Sequence, residues 1–374
     1  MKICLFSRWN PQLIRGGIET YLLYLARYFS EQGHSVVLAY PQKQMTNLFR
    51  PVRWAVLKSL RIDVGEALDS IEVASDVAKV NADVYHGQAQ HSFGFAVFQR
   101  LRTRNRKPLV STAHGSMWGM LTDLGYLPLG QRLMTLTMER VGFNNSDKVI
   151  CVSQSVKDEL VEGYATRPDK LTVIQNGIDP GRYVPKNRAK QQLYRRDNLI
   201  IVTFFLKGGF RKGSDVGCKI LRLLEARSAK NLLIQAIVDK ATMNSLEPLR
   251  GRQYLKLYRD PDERLLVDLY SASDIFVFPT RYEGFSFTLL EAMASRNAIL
   301  TSDIRASREA IDEGLQGYLL EPADTRTWVD RIIDLCEDED ILQKMQQRAF
   351  ETIENRFNFR IMCRRTLALY DSLV

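Results

Sequence analysis

The sequence predicts an α/β protein built from two doubly wound, parallel-sheet domains. Three observations carry that expectation. Short apolar runs alternate with helical stretches along the chain, the pattern of repeated strand–helix–strand units. The length of 374 residues is more than one core usually holds. The segment NGIDPGRYVPKNRAK at 176–190 has Gly, Pro and charge but little apolar periodicity, and it divides the chain near its middle.

Strands are expected near 3–6, 36–40, 84–86, 109–112, 149–152 and 171–175 in the first half. In the second half they are expected near 199–205, 232–238, 255–258, 275–278, 298–301 and 318–320. The domains then run 1–185 and 186–356, with the last segment, 357–374, crossing back onto the first. Open α/β sheets take ligands beyond the carboxyl ends of their strands, so the loops there are where chemistry is expected.

Composition narrows the class. With 45% hydrophobic and 25% charged residues the chain reads as an ordinary globular protein. No run of about 18 apolar residues is present, and the N-terminal apolar run is broken by Arg8 and Pro11, too early for a secretion signal. Cys4, Cys151, Cys218, Cys336 and Cys363 have no CxxC spacing and read as reduced small hydrophobes, which implies a cytoplasmic setting. The net charge of +9 is unevenly placed. No acid lies between Glu31 and Asp63 or between Asp83 and Asp123, while cations gather at 43–61 and 100–107. Such clusters suit an anionic partner or form a solvated basic face.

Three loops stand out. The first strand leads into SRWNPQLIRGGIET, where Gly16 and Gly17 let backbone N–H groups approach an anion at a helix entry. No GxGxxG follows that strand and no acidic residue ends the second, which argues against a dinucleotide enzyme. The first strand of the second half leads into FLKGGFRKGSD, whose Lys207, Arg211 and Lys212 suit a diphosphate on a Gly-rich turn; it is not a P-loop. The third, PTRYEGFSFTLLEAMAS, sets Glu283 just before a helix and Glu291 within it. Glu291 lies in a mostly apolar helix, a place that demands a polar partner, and a carboxylate there can accept bonds from vicinal ribose hydroxyls.

With GGIET, STAHG at 111–115, VSQSV at 152–156, VIQNGID at 173–179, FRKG at 210–213 and SASDIFVFPTRYEGFSFTLLEAMAS at 271–295, the chain resembles the retaining GT-B glycosyltransferases of family four, the group that builds bacterial surface sugars and glycolipids. The likeness runs over nearly the whole chain. It implies two Rossmann-like domains facing across a cleft, an N-terminal acceptor domain and a C-terminal donor domain. It implies that Gly16 and Gly17 meet the donor diphosphate and that Arg211 and Lys212 bind it from the second domain. Glu283 would contact sugar hydroxyls, helped by the backbone of Gly284, Phe285 and Ser286. Glu291 would hold the ribose, His114 would lie by the anomeric centre, and Asn176 and Gly177 would line the cleft. The family often carries Gly where Ser286 stands. Its basic pair is commonly spaced apart, as Lys207 and Lys212 are here, whereas Arg211 and Lys212 adjoin, so any of the three can supply the diphosphate contact.

The expected reaction is metal-independent, retaining transfer of a sugar from a nucleotide diphosphate donor, UDP or GDP before dTDP, to a glycan or lipid-linked acceptor in lipopolysaccharide or surface polysaccharide synthesis. No cofactor is expected. His86 and His91 in YHGQAQH can line the acceptor side but read first as local loop hydrogen-bonders, and no HxH or HExxH is present to make a metal site with His114. Asp260-Pro-Asp262 reads as a helix cap with Asp260 at the N-cap and Pro261 at N1. LFRPVRWAVLKSLRI at 48–62 interleaves Trp54 and aliphatics with cations, which suits either a bilayer interface or an amphipathic helix on the sheet. The resemblance favours the former, placing the chain peripherally at the inner face of the cell membrane, and the cations at 99–107 extend that face. The rivals are a nucleotide-sugar epimerase of the same architecture and a non-catalytic sugar-nucleotide or nucleic-acid-binding protein. No nucleic-acid-binding signature is present.

Overall fold

The structure is a computed structural model that describes residues 1–8, 10, 16–40, 65–101, 106–125, 129–183, 186–195, 199–225 and 231–374. It divides into two compact units. The first holds Met1–Asn176 together with Phe359–Val374, and the second holds Gly177–Asn358. The changeover therefore falls at the start of the predicted linker. The linker's first part packs into the second unit, where Ile178 N–H donates to Phe357 O at 2.8 Å and Arg182 pairs with Glu263 at 2.5 Å.

The first unit runs β1 (Lys2–Phe6), α1 (Gly17–Glu31), β2 (Ser35–Ala39), α2 (Gly65–Val77), β3 (Val84–Gln88), α3 (Ser92–Leu101), β4 (Leu109–Ala113), α4 (Met117–Leu124), α5 (Leu129–Asn145), β5 (Lys148–Cys151), α6 (Gln154–Tyr164) and β6 (Leu171–Val173). Its parallel sheet has the order β2-β1-β3-β4-β5-β6, so the winding reverses between β1 and β3. The second unit runs α7 (Lys186–Tyr194), β7 (Ile200–Leu206), α8 (Ser214–Glu225), β8 (Leu232–Val238), α9 (Lys240–Ser245), β9 (Leu255–Arg259), α10 (Glu263–Ala272), β10 (Ile275–Phe278), α11 (Phe287–Ala294), β11 (Ala298–Ser302), α12 (Arg305–Ala310), β12 (Gly317–Leu320), α13 (Thr325–Glu337) and α14 (Glu339–Asn355). Its order is β12-β11-β10-β7-β8-β9, with the reversal between β7 and β10. That reversal puts the FRKG and EG loops at the ends of adjacent strands, where doubly wound sheets take ligands.

Helices cover both faces of such sheets, so their strands read as unbroken apolar runs. All four residues of β10, IFVF, are fully buried. The second core adds Ile220, Leu221 and Leu224 of α8 and Trp328, Val329 and Ile332 of α13. The last helix, α15 (Phe359–Asp371), buries Phe359, Met362, Cys363, Thr366 and Tyr370, a helical stripe seated in the first unit. The cysteines are unpaired, and among the described residues no helix is long and apolar enough to cross a membrane.

The segment 48–62 lies outside the described residues. Of the cations at 99–107, Arg100 bonds Asn145, Arg106 pairs with Asp147 at 2.6 Å and Lys107 with Asp83 at 3.8 Å. Asp83 and Asp147 precede β3 and β5, so these cations sit at the amino end of the sheet, opposite the ligand loops, and are matched by the unit's own groups.

Candidate active site

In the second unit, β7 ends in a single turn, Gly209–Lys212, which presents Arg211 and Lys212. Gly213 closes it with φ 66°, and a Cβ there would fall 1.7 Å from Pro279 O, so only glycine lets this turn lie against the loop after β10. The two loops are then stapled together. Arg281 N–H donates to Arg211 O at 2.8 Å, and the Arg281 guanidinium donates to Phe210 O at 2.7 Å and grips Asp215 at 2.7 Å.

This brings the predicted acid and bases together. Glu283 Oε1 lies 2.5 Å from Lys212 Nζ and 3.3 Å from Arg211 Nη1, and accepts from Thr280 Oγ1 at 3.0 Å. The side chains of Lys212 and Glu283 are 12% and 11% exposed, against 38% for Arg211. Burial pulls the Lys212 ammonium below the usual lysine range, against the opposing pull of Glu283. Two cations on one carboxylate leave a local excess of positive charge, which an incoming anion relieves.

Glu291 stands in α11. Burial pushes its carboxyl up to about 7, opposed by Arg182, by the Tyr270 hydroxyl and by Lys212. Tyr270 and Thr280 are buried, and Arg182 is half-buried. Sequence reasoning passed over all three: Tyr270 sits in an ordinary amphipathic pattern, and the other two read as loop residues. Gly284, Phe285 and Ser286 are buried beside Glu283, and the Phe285 ring meets Phe357 edge-on at 5.2 Å.

Lys207 is not part of this group. It pairs with Asp260 at 2.8 Å beyond β9, two strands away, and both side chains are about half exposed. The predicted cap at Asp260 is overturned with it. Asp260 has φ 44°, and Asp262 is the N-cap of α10, accepting from Leu265 N–H at 2.8 Å. Capping needs extended backbone just ahead of the helix, which Asp262 has and Asp260 lacks.

In the first unit, Gly16 and Gly17 open α1. A Cβ on Gly16 would lie 2.6 Å from Glu19 Oε2, so the buried Glu19 carboxyl occupies the space over this helix entry. Burial raises its pKa, against the hold of its own backbone N–H. His114 follows β4 and bonds Gln88 Oε1 through Nε2 at 2.8 Å, with its ring edge-on to Tyr21 of α1 at 5.0 Å. Burial drops its pKa to about 3, so it acts as a neutral hydrogen-bonding group. Asn176 is buried at the unit's end.

His86 and His91 are neutral for the same reason, but His86 is no loop residue. It lies inside β3, with Nδ1 on Tyr370 Oη and Nε2 on Thr112 Oγ1 at 2.6 Å. Thr112 Oγ1 is 3.2 Å from Tyr21 Oη, and in α15 Thr366 donates to Met362 O at 2.9 Å. Tyr370, His86, Thr112 and Tyr21 thus form one buried chain of hydrogen-bonding groups. The chain ties α15 to the strand that carries His114. Tyr370→Phe strips His86 Nδ1 of its partner in a dry core, and we expect a stability loss of about 1–3 kcal/mol in urea unfolding. An unchanged midpoint would sink the chain as described.

Among the described residues no three His, Cys, Asp or Glu side chains gather as metal ligands.

Sequence comparisons place this geometry. The profile of Glycosyltransferase Family 4 matches residues 15–182, and that of Glycosyl transferases group 1 matches residues 189–352. The capsular polysaccharide biosynthesis glycosyltransferase CapM of Staphylococcus aureus is 23% identical over 252 residues, spanning 63% of this chain and 64% of its own. The D-inositol 3-phosphate glycosyltransferase of Nocardia farcinica is 24% identical over 367 residues, 89% of this chain and 80% of its own. Among solved structures, Anabaena HepE in complex with UDP and glucose is similar at a TM-score of 0.73 and 18% identity, covering 100% of both chains. The two profiles in tandem, on two parallel sheets whose second carries Lys212, Arg211 and Glu283 at its switch point, mean that the chain belongs to the family four, group 1 glycosyltransferases of the GT-B fold.

Proposed function

We propose that the chain is a retaining, metal-independent glycosyltransferase that moves a sugar from a nucleoside diphosphate, UDP or GDP, to a hydroxyl of a glycan or lipid-linked acceptor. The observation that carries this is the joint hold of Lys212 and Arg211 on Glu283 at the β7/β10 reversal. In the reaction the bond from the anomeric carbon to the diphosphate oxygen breaks, and one to the acceptor oxygen forms on the same face. The acceptor proton passes to the departing diphosphate. Lys212 and Arg211 neutralise the charge that grows on that leaving group, the electrostatic work a metal ion does elsewhere. Glu283 takes sugar hydroxyls and Glu291 takes the ribose diol.

The UDP bound in HepE supports a uridine donor, and the capsular role of CapM supports surface polysaccharide or lipopolysaccharide synthesis at the inner face of the membrane. A thermal-shift screen over UDP-, GDP-, ADP- and dTDP-sugars tests the donor reading, with a rise in Tm expected for UDP- or GDP-sugars. The anomeric proton coupling of the product, measured by NMR, then tests retention. Conversion of the donor sugar without acceptor would mean an epimerase instead.

A further inference from the structure

Ser286 is the N-cap of α11, yet its side chain makes no capping bond. The residue is 9% exposed, and its hydroxyl is buried with no hydrogen-bond partner in the protein. A buried hydroxyl left in that state is costly, because folding removes its water and returns nothing. An N-cap serine can escape the penalty by turning its oxygen to the N–H groups of the next turn, as Ser153 does with Val156 N–H at 3.1 Å. Ser286 forgoes this, and the N–H groups of Phe287, Thr288 and Leu289 precede the first helical bond, Leu290 N–H to Ser286 O at 3.2 Å. An unpaired hydroxyl and an uncapped helix entry thus stand together, three residues past the carboxylate that holds Lys212 and Arg211.

We propose that the Ser286 hydroxyl is completed by the donor substrate, bonding an oxygen of the bound nucleotide sugar and so adding a contact that a glycine at this place cannot make. This deepens the donor reading above and rests on it. The shared chemistry is an oxygen that accepts or donates one hydrogen bond, either a hydroxyl of the sugar ring or an oxygen of the diphosphate. Alanine removes the hydroxyl without adding bulk, so Ser286→Ala keeps the fold and loses only the unpaired group. Without ligand its Tm stays level or rises.

The test is calorimetric titration of wild type, Ser286→Ala and Ser286→Gly with the nucleoside diphosphate and its glucose ester, taking the pair among UDP, GDP, ADP and dTDP that wild type binds. We expect the glucose ester to bind about fivefold to thirtyfold more weakly to Ser286→Ala. If the free diphosphate keeps its affinity, the partner is a sugar hydroxyl; if both weaken together, it is a diphosphate oxygen. Equal affinities of wild type and both variants for both probes overturn the proposal. Failure of wild type to bind any of the four pairs is a different result, which removes the donor reading and this proposal with it.

Discussion

Lys212→Ala is expected to lower kcat about a hundredfold to a thousandfold while the protein still folds, the scale seen when one preorganised charge-stabilising group is removed from an active site. The size follows from where the ammonium sits. Its side chain is 12% exposed and its Nζ lies 4.9 Å from the centre of the Phe278 ring, so little of it faces solvent. Its interaction with developing negative charge is therefore weakly screened. Arg211→Ala removes a cation of equal charge, but 38% of that side chain is open to solvent, so the expected loss is about tenfold. Glu283→Ala separates binding from turnover. The carboxylate competes with a diphosphate for both cations, so its removal is expected to tighten binding of the free nucleoside diphosphate about threefold. Transfer falls about a hundredfold as the sugar loses its acceptor group. Calorimetry and initial rates on the same preparations measure both. A Lys212→Ala variant with wild-type kcat, or a Glu283→Ala variant that loses nucleotide and sugar binding equally, would count against these roles.

The strands and the acid–base pair were legible in the sequence for a physical reason. A strand buried on both faces must be apolar throughout, so IFVF at 275–278 and IIVTFFL at 200–206 declare themselves without help from distant residues. Glu291 declares itself by contrast, a carboxylate in a helix of otherwise apolar and small residues. What could not be read depends on strand order. Lys207 resembles a phosphate ligand until β9 is known to lie two strands from β7, with Asp260 at its end to take the cation. The bond from His86 to Tyr370 joins residues 284 apart, and no local pattern announces it. Arg281 and Asp215 look like surface charges, yet they clamp the turn that presents Arg211 and Lys212. Sequence periodicity shows which face of an element is dry, whereas pairing between polar groups is decided by topology.

Donor affinity is expected to fall about tenfold between pH 8 and pH 6, with Glu291 as the titrating group. Its carboxyl titrates near 7 because burial disfavours the charged form, and Arg182, Tyr270 and Lys212 only partly offset this against the added repulsion of Glu263. A ribose diol offers two hydrogens, which the ionised carboxylate accepts strongly on its two oxygens, whereas the protonated acid turns one oxygen into a donor and accepts only weakly on the other. Binding therefore draws on the fraction ionised, which is small at pH 6 and nearly complete at pH 8. Glu291→Gln is expected to flatten that profile and to weaken the donor about tenfold at pH 8; a dTDP-sugar, with no 2′-hydroxyl, should show little of either effect. Stability moves the other way. The folded pKa lies above the ordinary 4.5, so the unfolded chain ionises first as pH rises. The native state loses stability from about pH 4.5 up to about 7 and regains none beyond. Relief of that penalty makes the ligand-free Glu291→Gln protein more stable than wild type at pH 8, by about 1–3 kcal/mol, with the gain fading towards pH 4.5. Chemical denaturation at pH 5 and pH 8 measures it. A glutamine variant less stable than wild type at pH 8 would mean that the carboxylate is there to hold the fold and not to wait for a ligand.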